Sequence, residues 1–186
     1  MRTLNPTLWR TCRMLSGANR IRLLRAVFEK PGQSVTELAQ ALGIGTSDAS
    51  QELRRIQSRG LLQSSRDGIR VIYRLEADPQ VPTAAPLLKA LKSAFSEFPP
   101  ERDEELRALA FGLAYPRRIA IARALQTTPQ TELDLGCGLG LSSYAVYSHV
   151  KILQDGGWVR RAGRTRHFAT PDHPLAEALT RLLRAS

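Results

Sequence analysis

Apolar residues recur at helical spacing through most of this chain, and they do so twice in the same order. In the segment 37–44 the apolar positions are Leu38, Leu42 and Ile44, and in 134–141 they are Leu135, Leu139 and Leu141. The following segment carries Ala49, Leu53 and Ile56, matched by Val146, Val150 and Leu153. Gly60-Leu61 is then matched by Gly157-Trp158. Every pair is offset by 97 residues. A repeat of core positions at fixed offset implies two copies of one folding unit.

The pattern around those positions predicts the elements. The first copy opens with a helix over 4–15, apolar at Leu4, Leu8, Trp9, Cys12 and Leu15, and a second over 19–29 with Ile21, Leu24, Val27 and Phe28 inward. Lys30-Pro31-Gly32 ends that helix. Ser34-Val35-Thr36-Glu37 has the form of a capping box, so a short helix begins there. Gly43 stops it in the left-handed conformation that glycine tolerates. A longer helix follows to about residue 58, starting at Thr46 or Ser47. Leu61-Leu62 and the alternating Val71, Tyr73 and Leu75 predict a hairpin around Asp67-Gly68. A helix over 86–95 and the break at Phe98-Pro99-Pro100 close the copy.

The second copy repeats this order. Helices are predicted over 101–114 and 116–125, the latter with proline at its first position, where no N–H is needed. A loop at 127–130, a short helix at 134–139, a long one at 142–154 and a hairpin over 158–170 follow. A closing helix over 174–184 places Leu175, Leu179 and Leu182 inward. The expected fold is mainly α with small β-hairpin wings. It consists of two tandem winged helix-turn-helix domains, 1–97 and 98–186.

Charge narrows the partner. The chain of 186 residues carries 27 Lys and Arg against 17 Asp and Glu, a net charge of +10, and only four of the cations are lysine. An arginine-rich surface of this sign suits a polyanion, of which duplex nucleic acid is the commonest for a small basic domain. No stretch is long and apolar enough to span a membrane, and the first residues lack a signal-peptide core, so a cytoplasmic location and no membrane partner are expected. Cys12 and Cys137 are the only cysteines, too few for a disulfide framework.

In a helix-turn-helix the second helix enters the major groove with its first residues at the base edges. Setting aside the inward residues leaves Ser47, Ser50, Gln51, Arg54 and Arg55 outward in the first copy. The second copy leaves Ser143, Tyr144, Tyr147, Ser148 and Lys151 outward. Hydroxyl and amide groups reach phosphates and base edges, and the cations hold phosphate. Thr46 and Ser142 are candidates to cap these helices. The hairpins add Arg66 and Arg70 in the first copy and Arg160, Arg161, Arg164 and Arg166 in the second, a density suited to phosphate.

These segments resemble the arsenical-resistance-repressor (ArsR) family of winged-helix regulators, in tandem. Gly140-Leu141-Ser142-Ser143 through Ser148-His149-Val150-Lys151-Ile152-Leu153 is similar to that family's recognition segment. Ser50-Gln51-Glu52-Leu53-Arg54-Arg55-Ile56 occupies the same place in the first copy, with Glu52 where the family commonly has His. Arg20-Ile21-Arg22-Leu23-Leu24 and Arg118-Ile119-Ala120-Ile121 resemble its second helix. The resemblance implies a double-stranded DNA partner and a transcriptional regulator, a repressor by family habit. It also implies pairing through first and last helices. Both are present twice here, so an intramolecular pseudo-dimer is expected, with homodimerisation still open. Its recognition helices would lie about one DNA turn (~34 Å) apart. The effector stays unknown.

Two further chemistries are expected to be absent. Thiophilic metal sensors need paired thiolates, whereas the short helices offer Ala39 and Ala41 in one copy and Cys137 alone in the other. Cys137 reads as a small buried hydrophobe. Asp172 and His173 are adjacent, with no second His after them. No metal and no cofactor are therefore expected. Asp134-Leu135-Gly136-Cys137-Gly138-Leu139-Gly140 is similar to the glycine-rich loop of S-adenosylmethionine-dependent methyltransferases. That loop follows a buried strand, and Thr128-Pro129-Gln130-Thr131-Glu132 is not one. No enzyme is expected. The alternative to a regulator is a winged-helix interaction or assembly module without specific DNA binding.

Overall fold

The computed structural model describes residues 7–185. In chain order the elements are α1 (Leu8–Leu15), α2 (Ala18–Glu29), α3 (Val35–Leu42), α4 (Thr46–Gln57), β1 (Gln63–Asp67), β2 (Arg70–Arg74) and α5 (Ala84–Glu97). A 3-10 turn at Pro100–Arg102 leads to α6 (Asp103–Gly112), α7 (Pro116–Thr127), β3 (Gln130–Thr131), α8 (Glu132–Leu139) and α9 (Ser143–Asp155). β4 (Val159–Ala162), β5 (Thr165–Phe168) and α10 (Pro174–Ala185) complete the chain. It is a mainly helical protein with small antiparallel sheets, as a winged helix-turn-helix requires. Leu4 lies outside the described residues.

The chain divides into two compact units. Among the described residues, one contains 17–107, and the other contains 8–16 together with 108–185. Helix α1, which the sequence repeat counts as the opening of the first copy, is thus grouped with the second unit.

In the first unit, α2, α3 and α4 bury the predicted stripe. Ile21, Leu24, Leu38, Leu53, Ile56 and Leu61 are fully enclosed, each worth about 2 kcal/mol of transfer free energy. Ser34 caps α3 as predicted. Its hydroxyl accepts from the Glu37 N–H at 3.3 Å, and a Glu37 carboxylate oxygen accepts from the Ser34 N–H at 2.7 Å. Gly43 ends the helix at φ 65°. Thr46 does not cap α4. It lies inside the helix, and the cap is Gly45, which has no side chain to accept a hydrogen bond. In the hairpin, Asp67 pairs with Arg70, so Gly68 and Ile69 form a two-residue loop with Gly68 at φ 60°. Strict alternation fails on β2, where Ile72 and Tyr73 are both buried, because Ile72 also bridges to Ser34 ahead of α3.

The second unit repeats this construction with different chemistry. Leu135 is enclosed as Leu38 is, while Leu139 and Leu141 are half-buried like Leu42 and Ile44. Thr131 and Asp134 form a second capping box at α8, and Gly140 ends the helix at φ 63°. Ser142 caps α9 by accepting from the Ala145 N–H at 3.3 Å. The residues expected to form a loop instead include β3, which pairs with β5 and makes a three-stranded sheet in the order β3-β5-β4. Trp158, fully buried, donates its indole N–H to the Leu109 carbonyl at 2.9 Å. On α10 the inward residue is Leu183 rather than Leu182. Cys137 is exposed on α8 and is not the buried hydrophobe expected, whereas Cys12 is fully enclosed.

Candidate nucleic-acid interface

The helix that follows the tight turn presents its polar face in both units. On α4, Ser47, Gln51, Arg54 and Arg55 are exposed and Ser50 is half-buried. On α9, Ser143, Tyr144, Tyr147 and Lys151 are exposed and Ser148 is half-buried. The two tyrosines stand out, with Tyr144 81% and Tyr147 56% exposed. An amphipathic ring left in water at a helix start has no packing role within its own unit, so it is available to a partner.

Not every cation on these faces is available. Arg55 pairs with Glu52 at 2.5 Å, and Glu52 also receives Arg20 from α2 at 2.8 Å. Glu52 therefore ties α4 to α2 through Arg20, while the Arg55 side chain stays 57% exposed. Arg54 has no carboxylate partner among the described residues.

The hairpin arginines divide in the same way. Arg70 donates to Glu37 at 2.6 Å, the carboxylate that also caps α3. Three donors drive the Glu37 carboxyl down to about 2, first the Ser34 hydroxyl, then the Ser34 backbone and Arg70. In the second unit two acids share that work. Asp134 completes the cap, and its carboxyl is lowered by the Thr131 hydroxyl and backbone. Glu132 accepts from Arg166 at 3.1 and 2.7 Å. The Arg166 side chain is only 11% exposed, so it ties β5 to the start of α8. Arg66, Arg160 and Arg164 are exposed and carry no carboxylate partner among the described residues. Arg161 is also exposed and spends one N–H on the Gly163 carbonyl at 2.9 Å.

These ion pairs have little signature in the sequence. Thr131-x-x-Asp134 has the local form of a capping box and is readable in the chain itself. The pairing of Arg166 with Glu132 joins residues far apart in the chain and has no local signature. Nor has the stacking of Tyr115 on His149, with ring centroids 5.4 Å apart.

Among the described residues no helix is long and apolar enough to cross a membrane. No group of three or more His, Cys, Asp or Glu is placed to hold a metal ion among them.

No family model matches the chain. Two characterised proteins are similar to part of it. One is the HTH-type transcriptional regulator YgaV of Escherichia coli K12, 34% identical over 62 residues, which is 33% of this chain and 63% of that protein. The other is the HTH-type transcriptional regulator KmtR of Mycobacterium tuberculosis H37Rv, 36% identical over 64 residues, 34% of this chain and 48% of that protein. The chain thus spans between about half and two thirds of the length of these relatives. Both relatives are regulators and not enzymes, and over about a third of its length this chain is similar to helix-turn-helix proteins that control transcription.

Proposed function

We propose that the chain is a transcriptional regulator of ArsR-like type that binds duplex DNA through two winged helix-turn-helix domains, 1–97 and 98–186, and acts as a repressor in the cytoplasm. The observation that carries this is the surface of α9 and its hairpin. Exposed Ser143, Tyr144, Tyr147 and Lys151 lie on the helix after the turn, and Arg160, Arg161 and Arg164 lie exposed on the β4–β5 hairpin. Side chains of the first kind read base edges, and those of the second neutralise phosphate. On α4 and its hairpin, Ser47, Ser50, Gln51, Arg54 and Arg66 serve the same ends. Arg55, Arg70 and Arg166 orient these elements through their carboxylates.

Because Ser47, Ser50 and Gln51 differ from Tyr144, Tyr147 and Ser148, the two halves read different half-sites. The chain therefore acts as a pseudo-dimer on a non-palindromic operator. Selection from random duplexes, followed by a salt titration, tests this. A specific site should emerge with nanomolar-range affinity that falls steeply with salt. Weak, sequence-blind association would favour an interaction module instead, which Leu133, 72% exposed on α8, would suit. An obligate dimer with a perfectly symmetric footprint would refute the pseudo-dimer.

A further inference from the structure

We propose that the second unit contains a binding site for a small ligand bearing an oxyanion, built from Arg118 on α7 and His149 on α9 beside the rings of Phe111 and Tyr115. Arg118 is 5% exposed, yet its Nε and Nη1 donate to no group among the described residues. A guanidinium stays protonated in a protein, and burying one without a counter-charge costs several kcal/mol. What surrounds it compensates only in part. Its Cζ lies 4.7 Å from the Phe111 ring centroid and 6.0 Å from that of Tyr115. Rings stabilise the face of a guanidinium and leave its N–H edge unsatisfied.

Among the described residues no carboxylate pairs with that edge. The titratable neighbours that favour its charge are Cys12 and Tyr115, and burial pushes the Cys12 thiol up to about 12, so no thiolate forms there at neutral pH. Burial itself pulls the Arg118 guanidinium down. A second unsatisfied group stands close by. His149 Nδ1 is buried and unpartnered too, and desolvation, then Arg118 and Arg117, hold the imidazole below its usual range. Thr11, next to Cys12 on α1, hides a further unpartnered hydroxyl.

The first unit shows what is missing. Arg25 on α2 is equally enclosed, but it donates to Asp103 at 2.5 Å and to the Phe95 carbonyl at 3.2 Å. Arg20 has Glu52, which stands at the repeat position of His149. In the second unit an imidazole takes the place of that carboxylate, and the buried Arg118 is left without a carboxylate partner among the described residues. A carboxylate or phosphate from outside would restore the balance with charge-assisted hydrogen bonds. Phe111 and Tyr115, 51% and 42% exposed, place apolar surface beside the same guanidinium. Since His149 belongs to α9, occupancy would bear on that helix's DNA contacts, a consequence that rests on the function proposed above.

The test uses the full chain, with inorganic phosphate and benzoate as probes and chloride at matched ionic strength as control. The ring proton of His149 is followed by NMR. A saturable shift with phosphate, benzoate or both, together with a raised His149 pKa, supports the site and tells which oxyanion it takes. Arg118→Lys keeps the charge but loses the fork, so binding should weaken at least tenfold, and Arg118→Met should abolish it. If Arg118→Met does not fold, the wild-type titration and Arg118→Lys decide. No saturable shift beyond chloride, or unchanged affinity in Arg118→Lys, overturns the proposal. Duplex affinity is measured separately with and without the probe. Failure of the wild-type chain to bind any duplex would refute the regulator and leave the anion titration standing.

Discussion

Replacing Arg160, Arg161 and Arg164 together with alanine should remove phosphate contacts without harming the fold. All three are exposed, and none has a carboxylate partner among the described residues. Arg166 must be left out, because its guanidinium belongs to Glu132 at 2.7 Å and is mostly covered. Each phosphate contact contributes about 0.9 to the slope of log K against log salt. Losing three should flatten that slope by about 2.7, so between 50 and 200 mM salt the variant should lose about 40-fold less affinity than the parent. The loss should be alike for specific and random duplexes, since phosphate carries no sequence information. Fluorescence anisotropy over a salt series reads both quantities. Arg166→Ala should behave otherwise. It frees Glu132 and loosens β5 from α8, so thermal stability falls while the slope changes by less than one contact. An unchanged slope in the triple variant, or an equal flattening from Arg166→Ala alone, would refute the division of the wing arginines.

Asp103→Ala should destabilise the protein by about 2–3 kcal/mol in urea unfolding, because it leaves the buried Arg25 guanidinium only the exposed Glu29 carboxylate at 3.7 Å and the Phe95 carbonyl; a change below about 1 kcal/mol would contradict that burial. Gly112→Ala would place a Cβ 2.5 Å from Trp158 Cδ1 and 2.8 Å from its Nε1. It should cost about 1–3 kcal/mol and shift the tryptophan emission as the bond to Leu109 is lost. The folded Cys12 thiol ionises near 12 against 9.0 when unfolded, so its contribution is intact below pH 9 and falls as pH rises towards 12. The slope is at most about 1.4 kcal/mol per pH unit. Cys12→Ala should flatten alkaline unfolding in that window, and an unchanged profile would count against the shift. Zinc, cadmium or arsenite at one equivalent should leave duplex affinity unaltered, given one enclosed and one exposed cysteine on different helices; metal-driven release of DNA would refute this.

The sequence by itself determined the local order. The stripe of Leu38, Leu53 and Ile56 and its echo in Leu135, Val150 and Leu153 fix helices, because an apolar face at helical spacing has one way to be buried. Ser34 with Glu37, Gly43 and Gly140 mark helix ends through bonds made within a few residues, so the signal is complete in the chain itself. Tertiary structure decided what depends on partners distant in sequence. Helix α1 is grouped with the second unit although it adjoins the first in the chain, since one apolar stripe fits more than one core and periodicity cannot choose between them. Arg70 and Arg166 look like their neighbours until Glu37 and Glu132, in the first turns of α3 and α8, pair with them. Arg118 is one arginine among many in the sequence. Only the packing of α6, α7 and α9 leaves it buried and unpartnered, because a charge is costly by virtue of where it lies rather than what it is.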